Sequence, residues 1–244
     1  SVALIVGNHD MPGNKGRATA LDIFPTMNLD NITVIDKLQL YELNTKSGNP
    51  IQILGMPWIR KGSLISRLSN IKKDITIEDL NKQIIQTLDN SLEKELAKVN
   101  KSIPCIFSGH LTVMEAKTST ETLMSIGADY MFPAQFFARP EFEYVALGHV
   151  HKDQIFIESP PVIYSGSLER IDFGEKDDIK GFYVIEIELE KSQGKTEDEA
   201  IEAVVKETKS HTTPKMIKTK YNKDPKRKTT VSFSTLTPER HKSC

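Results

Sequence analysis

Short apolar runs separated by polar turns fill the first three quarters of the chain. "VALIV" (2–6), "ITVI" (32–35), "LQLYEL" (38–43), "IQILGM" (51–56), "IPCIFS" (103–108), "EYVALG" (143–148), "PVIYSG" (161–166) and "GFYVIEIEL" (181–189) are rich in β-branched and aromatic residues. Their lengths and their polar borders predict strands. One segment follows a different period. In "TIEDLNKQIIQTLDNSLEKELAKV" (76–99), Leu80, Ile84, Leu88, Leu92 and Leu96 recur at every fourth position with charge between them. That pattern predicts an amphipathic helix lying on a sheet, with Thr76 or Asp74 as its N-cap. "FPAQFF" (132–137) predicts a second, short helical start with Pro133 in its first turn. Strands alternating with helices, followed by strands in succession, predict a mixed α/β sandwich.

The pattern fades after about Glu190. From there the chain is highly charged and poor in aromatics, with one helical stretch around 197–206. Residues 1–190 are therefore read as the folded domain, and 191–244 as a charged C-terminal appendage with a loosely ordered end.

Composition narrows the picture. Of 244 residues, 38% are hydrophobic and 27% charged, which suits a sizeable core and excludes global disorder. A formal net charge of -1 means that a nucleic-acid partner must find a local basic patch. The only cysteines are Cys105 and Cys244, which argues for a reducing compartment without a disulfide framework. Neither a signal peptide nor a bilayer-length apolar run is visible, so a soluble, cytoplasmic protein is expected.

The chemistry gathers where strands end. "VALIV" runs into Gly7-Asn8-His9-Asp10, "IPCIFS" into Gly109-His110, and "EYVAL" into Gly148-His149-Val150-His151. Ligands of open α/β sheets bind outside the carboxyl ends of strands, so these tips can converge. Glycine before histidine permits a sharp turn and a close approach. Two residues apart in a turn, His149 and His151 can meet two ions or grip one, and mixed Asn, Asp and His ligation suits Mn, Fe or Zn. A lone histidine at a strand end is ordinarily a surface residue, and Asn-His-Asp alone is an ordinary turn. Three such strand ends in one chain are not explained that way. Arg60, Lys61 and Lys152 are candidate phosphate contacts, with plain solvated charge as the competing reading. Trp58 either stacks on a base or packs at its strand end. "DPKRK" (224–228) is a basic patch or a solvated tail.

The order Gly-Asn-His-Asp, Gly-His, Gly-His-Val-His resembles the calcineurin-like metallophosphoesterases. "FSGHLTVMEA" (107–116), "KTSTET" (117–122), "EYVALGHVHKDQ" (143–154) and "PPVIYSGSLERIDFGE" (160–175) are together similar to SbcD-type DNA repair exonucleases, the nuclease half of the SbcC–SbcD complex. The resemblance covers roughly residues 1 to 190. It implies a sandwich of two mixed β-sheets flanked by helices, and a site for two divalent metal ions. Mn2+ comes first, with Mg2+, Fe2+ and Zn2+ as alternatives. Asn8, His110 and His149 match ligands of one ion and His151 a ligand of the other. His9 matches the residue that orients or protonates at the scissile phosphate, while Asp10 braces the loop. The family's Asp-x-His and Gly-Asp motifs, which precede Gly-Asn-His-Asp, do not occur here. The first strand–helix units are therefore expected to be lacking, and the chain alone is expected to hold its first ion poorly.

The implied function is metal-dependent hydrolysis of DNA phosphodiester bonds in double-strand-break processing. It implies DNA and an SbcC-type SMC-like ATPase as partners, a homodimer as a further assembly, no membrane, and a nucleoid-associated location. Two other readings stand beside it. One is a metallophosphoesterase acting on other phosphodiesters; the other is a non-catalytic remnant that binds DNA or the ATPase partner.

Overall fold

The computed structural model describes residues 1–11, 18–66, 68, 75–117, 130–189, 214–215 and 227–235. Asp74, the helix expected at 197–206 and most of "KTSTET" lie outside them. In chain order the elements are β1 (Val2–Ile5), α1 (Ile23–Thr26), β2 (Ile32–Ile35), β3 (Gln39–Asn44), β4 (Pro50–Met56), α2 (Lys61–Ile65) and α3 (Ile77–Leu96). There follow β5 (Cys105–His110), β6 (Thr112–Val113), β7 (Met131–Phe132), β8 (Tyr144–Gly148), β9 (Gln154–Glu158), β10 (Pro161–Tyr164), β11 (Gly181–Leu189), β12 (Pro214–Lys215) and β13 (Arg227–Thr235). The "FPAQFF" segment forms a 3-10 turn over Ala134–Phe137, with Pro133 as its cap rather than inside it.

The central element is a six-stranded sheet in the order β3-β4-β5-β8-β10-β9. β4, β5, β8 and β10 run parallel, and the two edge strands are antiparallel to their neighbours. All four parallel strands therefore finish at one edge of the sheet, which is where His110 and Gly148 lie. β1 and β2 form a separate parallel pair. Two backbone bonds extend its alignment, Val6 N–H to Ile35 O and Trp58 N–H to Val6 O, so Gly7 arrives beside the segment that follows β4.

Side chains on successive strand residues point to opposite faces, and the core divides accordingly. Phe107, Val145, Leu147, Val162 and Tyr164 face one way and pack with Ile84, Leu88, Leu92 and Leu96 of α3. Tyr144 and Ile163 face the other way, against Tyr183 and Ile185 of β11. A sheet covered on both faces needs strands apolar at nearly every position, and "YVALG" and "PVIY" are of that kind. The capping of α3 falls to Thr76, whose Oγ1 accepts from Asp79 N–H at 3.1 Å, a contact typical of about 1 kcal/mol. Gln52 on β4 is fully buried and pins the loop after α3. Its Nε2 donates to Asn100 O (2.8 Å) and Ile103 O (3.2 Å), and its Oε1 accepts from Asn100 N–H (2.9 Å).

Three features differ from the sequence pattern. β9 was not foreseen, because "QIFIE" follows a polar histidine loop without a clear turn signal. Nine residues beyond Glu190 form β13, which pairs antiparallel with the whole of β11 from Gly181↔Thr235 to Leu189↔Arg227. Its β-branched run follows directly on the basic, polar "NKDPKRK" (222–228). Finally, among the described residues only the six-stranded sheet is mixed; β11, β13 and β12 form an antiparallel sheet. No described helix is long and apolar enough to cross a membrane.

Candidate metal centre

The first piece of the site is the turn that ends β1. Gly7 N–H donates to Asp10 Oδ2 at 2.7 Å, closing a tight loop that presents Asn8 and His9. Across it lies His110, the last residue of β5, whose Nε2 is 2.9 Å from Asn8 Oδ1. Gly7 is required for this approach. A Cβ there would stand 2.8 Å from His110 Cε1, closer than real carbons come. His9 is exposed on the same turn and takes no part in the Asn8–His110 pair.

The second piece follows β8. His149 holds a φ of 105°, in the left-handed region that side chains with a Cβ rarely occupy. That turn brings its ring to 5.3 Å from His110, centroid to centroid. Trp58 closes the side, tilted on His149 at 4.9 Å, edge-on to His110 at 6.1 Å and stacked with Tyr130 at 6.5 Å. Its indole thus packs on the histidines themselves. Burial, and next the electrostatic influence of His149, push His110 down to about 4, against the opposing pull of Asp10. The ring is therefore neutral at physiological pH, the form that binds cations.

The third piece is the loop between β10 and β11, whose Arg170 and Asp172 the sequence suggests as a structural pair holding the loop. His151 Nδ1 is 2.8 Å from Oε1 of Glu175, a fully buried carboxylate. Glu175 Oε2 lies 2.9 Å from Lys180 Nζ and accepts from Ile171 N–H at 3.1 Å. Burial opposes its ionisation, but the bonds from Lys180, His151 and Ile171 outweigh that and hold Glu175 at about 2. Arg170 donates to Glu175 O (3.2 Å) and Asp178 O (2.9 Å), and Asp172 Oδ1 caps Gly174 N–H at 2.6 Å. Lys152 Nζ stands 3.9 Å from Asp178 Oδ1, at the margin of this cluster. Arg60 is the N-cap residue of α2 and Lys61 its first residue, both partly exposed on the segment that follows Trp58.

Sequence reasoning missed Glu175 and Lys180. "GEKDDIK" reads as one solvated charge run, and only tertiary packing shows that its first and last charges are buried while Lys176 and Asp177 are exposed.

The fit to metal is asymmetric. Two donors at right angles, each ~2.1 Å from a cation, sit ~3 Å apart. Asn8 Oδ1 and His110 Nε2 have that separation, which is also hydrogen-bond distance, and with the His149 ring beside them these residues could hold one divalent ion. For a second ion the described residues offer His151, whose Nδ1 bond to a carboxylate is the usual support of a ligating histidine. No group of three His, Cys, Asp or Glu side chains among the described residues closes on one point.

Fold and site define an α/β protein with an Asn–histidine cluster at the carboxyl edge of a mixed sheet. More particularly, the chain is similar to the SbcD components of SbcCD nucleases. The SbcD component of the Staphylococcus epidermidis SbcCD nuclease is 29% identical over 189 residues, which are 77% of this chain and 46% of that protein. Its counterpart from Staphylococcus saprophyticus subsp. saprophyticus is 29% identical over 161 residues, 56% of this chain and 42% of that protein. The chain thus spans less than half the length of the curated relatives it matches. No family model matches it.

Proposed function

We propose that the chain carries much of the catalytic domain of a DNA repair nuclease, a calcineurin-like sandwich that hydrolyses DNA phosphodiesters together with an SbcC-type SMC-like ATPase. The observation that carries this reading is the 2.9 Å meeting of Asn8 with His110, His149 beside them, in a chain similar to the SbcD proteins. In this reading residues 1–190 contain the chemistry, 191–244 extend it, and the location is cytoplasmic, at the nucleoid.

Asn8, His110 and His149 would hold one divalent cation and His151 would donate to another, with Mn2+ first and Mg2+, Fe2+ or Zn2+ as alternatives. Bound there, such ions polarise the phosphate and acidify water. The protein's own residues do the rest. Asp10 closes the turn that aims Asn8. Trp58 walls off one side of the histidines and keeps His149 against His110. His9, exposed and outside the ligand pair, would hand a proton to the departing oxygen. Arg60, Lys61 and Lys152 would contact flanking phosphates and set the strand's register.

The test is His9→Ala. Cleavage of duplex DNA with Mn2+ is expected to fall by roughly 10²–10⁴-fold while Mn2+ binding persists. Full activity in the variant would remove His9 from the reaction. Running a small chromogenic diester in parallel separates a DNA nuclease from a general phosphodiesterase. A second reading, a chain that binds DNA or the ATPase without cleaving, is favoured by how few donors the described residues bring to one point. Elemental analysis of the purified chain decides it, since two stoichiometric ions would exclude a binding-only role.

A further inference from the structure

The loop between β10 and β11 contains an arrangement that loop closure alone does not require. Glu175 and Lys180 are 0% and 5% exposed, and burying an ion pair seldom gains stability over an apolar pair of the same volume. Their contacts converge on a single residue. Glu175 Oε1 meets His151 Nδ1 at 2.8 Å. Lys180 Nζ bonds both Glu175 Oε2, at 2.9 Å, and the main-chain O of His151, at 3.0 Å. Ser167 N–H donates to that same oxygen at 3.0 Å. Gly166, at φ +75°, lies so close that a Cβ would stand 2.8 Å from it. Side chain and backbone of His151 are thus gripped from one loop.

We propose that Glu175 is the positioning residue of His151, its buried carboxylate fixing the imidazole in the Nδ1–H tautomer so that Nε2 is the donor offered to a divalent cation. The polarity of the bond follows from the partners. Lys180 and the Ile171 N–H both point at Glu175, so its carboxylate is an acceptor on every side and Nδ1 must donate. An imidazole that keeps its proton on Nδ1 carries its lone pair on Nε2. A free histidine divides between tautomers and rotates, so fixing both raises affinity without adding a ligand. The inference rests on the reading of His151 as a metal ligand.

Two readouts other than turnover test it. Imidazole ¹⁵N spectra of the metal-free chain should show His151 as the Nδ1–H form, and Glu175→Gln should redistribute the proton toward Nε2. Trp58 is the only tryptophan and packs on His149, so quenching of its fluorescence by Mn2+ reports binding at the cluster. His151 serves the other ion, so calorimetric Mn2+ titration is its readout: Glu175→Gln should weaken the ion at His151 by roughly 10–100-fold while the quenching of Trp58 stays as it was. In a His151→Ala background the same substitution should change nothing further, as required of a residue acting through another. An unchanged tautomer, or an equal loss of affinity with and without His151, would overturn the assignment. Should Glu175→Gln fail to fold, Glu175→Asp keeps a charge for Lys180 while withdrawing the oxygen from Nδ1, and carries the same comparison. A chain that binds no Mn2+ at all refutes the metal reading, whereas the tautomer spectra still decide the Glu175–His151 pair.

Discussion

His149 sits at a φ of 105° with a full imidazole on its Cβ, a conformation that costs about 1–3 kcal/mol and persists only where the surroundings impose it. Here they do. Trp58 holds one side of the ring and His110 another. The expected consequence is a split between two substitutions. His149→Gly relieves the backbone and His149→Ala does not, so the glycine variant should be the more stable by about 1 kcal/mol in chemical denaturation, while both lose Mn2+ affinity. Gly7 gives the complementary case. Gly7→Ala drives a methyl into the His110 ring, and separating His110 from Asn8 should weaken Mn2+ quenching of Trp58 at least tenfold. At this scale the sequence was legible where glycine precedes histidine at a strand end, since both residue types are individually uncommon there. Glu175 and Trp58 were not, because nothing in a charge run or an isolated indole tells which neighbour the fold will bring.

Elements were legible in proportion to their periodicity. α3 could be read from its four-residue apolar repeat, and Thr76 caps it as expected. ITVI and GFYVIEIEL form strands with the boundaries the pattern predicts. β13 escaped notice because the charged stretch before it masks "TTVSFST" (229–235), and its pairing with β11 is a long-range fact. The join between α3 and β5 shows how one polar residue serves an element. Gln52 lies in the apolar run of β4, yet it makes three bonds to the loop that hands the chain to β5 and so to His110. Gln52→Leu should lower stability by about 2–3 kcal/mol, because the Asn100 N–H and the Ile103 carbonyl lose buried partners. Urea unfolding should show a lower midpoint with an unchanged slope.

For the whole molecule, the site couples folding to pH. His110 titrates near 6.5 in an unfolded chain and at about 4 in the metal-free fold, pushed down by burial and by His149. Between those values the unfolded state binds more protons, so this group makes stability rise with pH, and its contribution is complete above about 6.5. Glu175, lowered from 4.5 to about 2, acts further down, its contribution present above 4.5 and lost as pH falls toward 2. A thermal unfolding series on the metal-free chain should therefore fall from pH 6.5 toward 4, and His110→Asn should flatten that limb while leaving the lower one. Mn2+ enters through the same ring. A cation binds His110 only when neutral, so protons and metal compete, and a ligand at 100 times its Kd stabilises the fold by about 2.7 kcal/mol. At pH 7.5 saturating Mn2+ should raise the unfolding midpoint, and the rise should hold until pH approaches about 4, where the folded His110 itself takes up a proton. A rise that ignored pH would place the cation away from His110, and with it would go the assignment of Asn8 and His149 to the same ion.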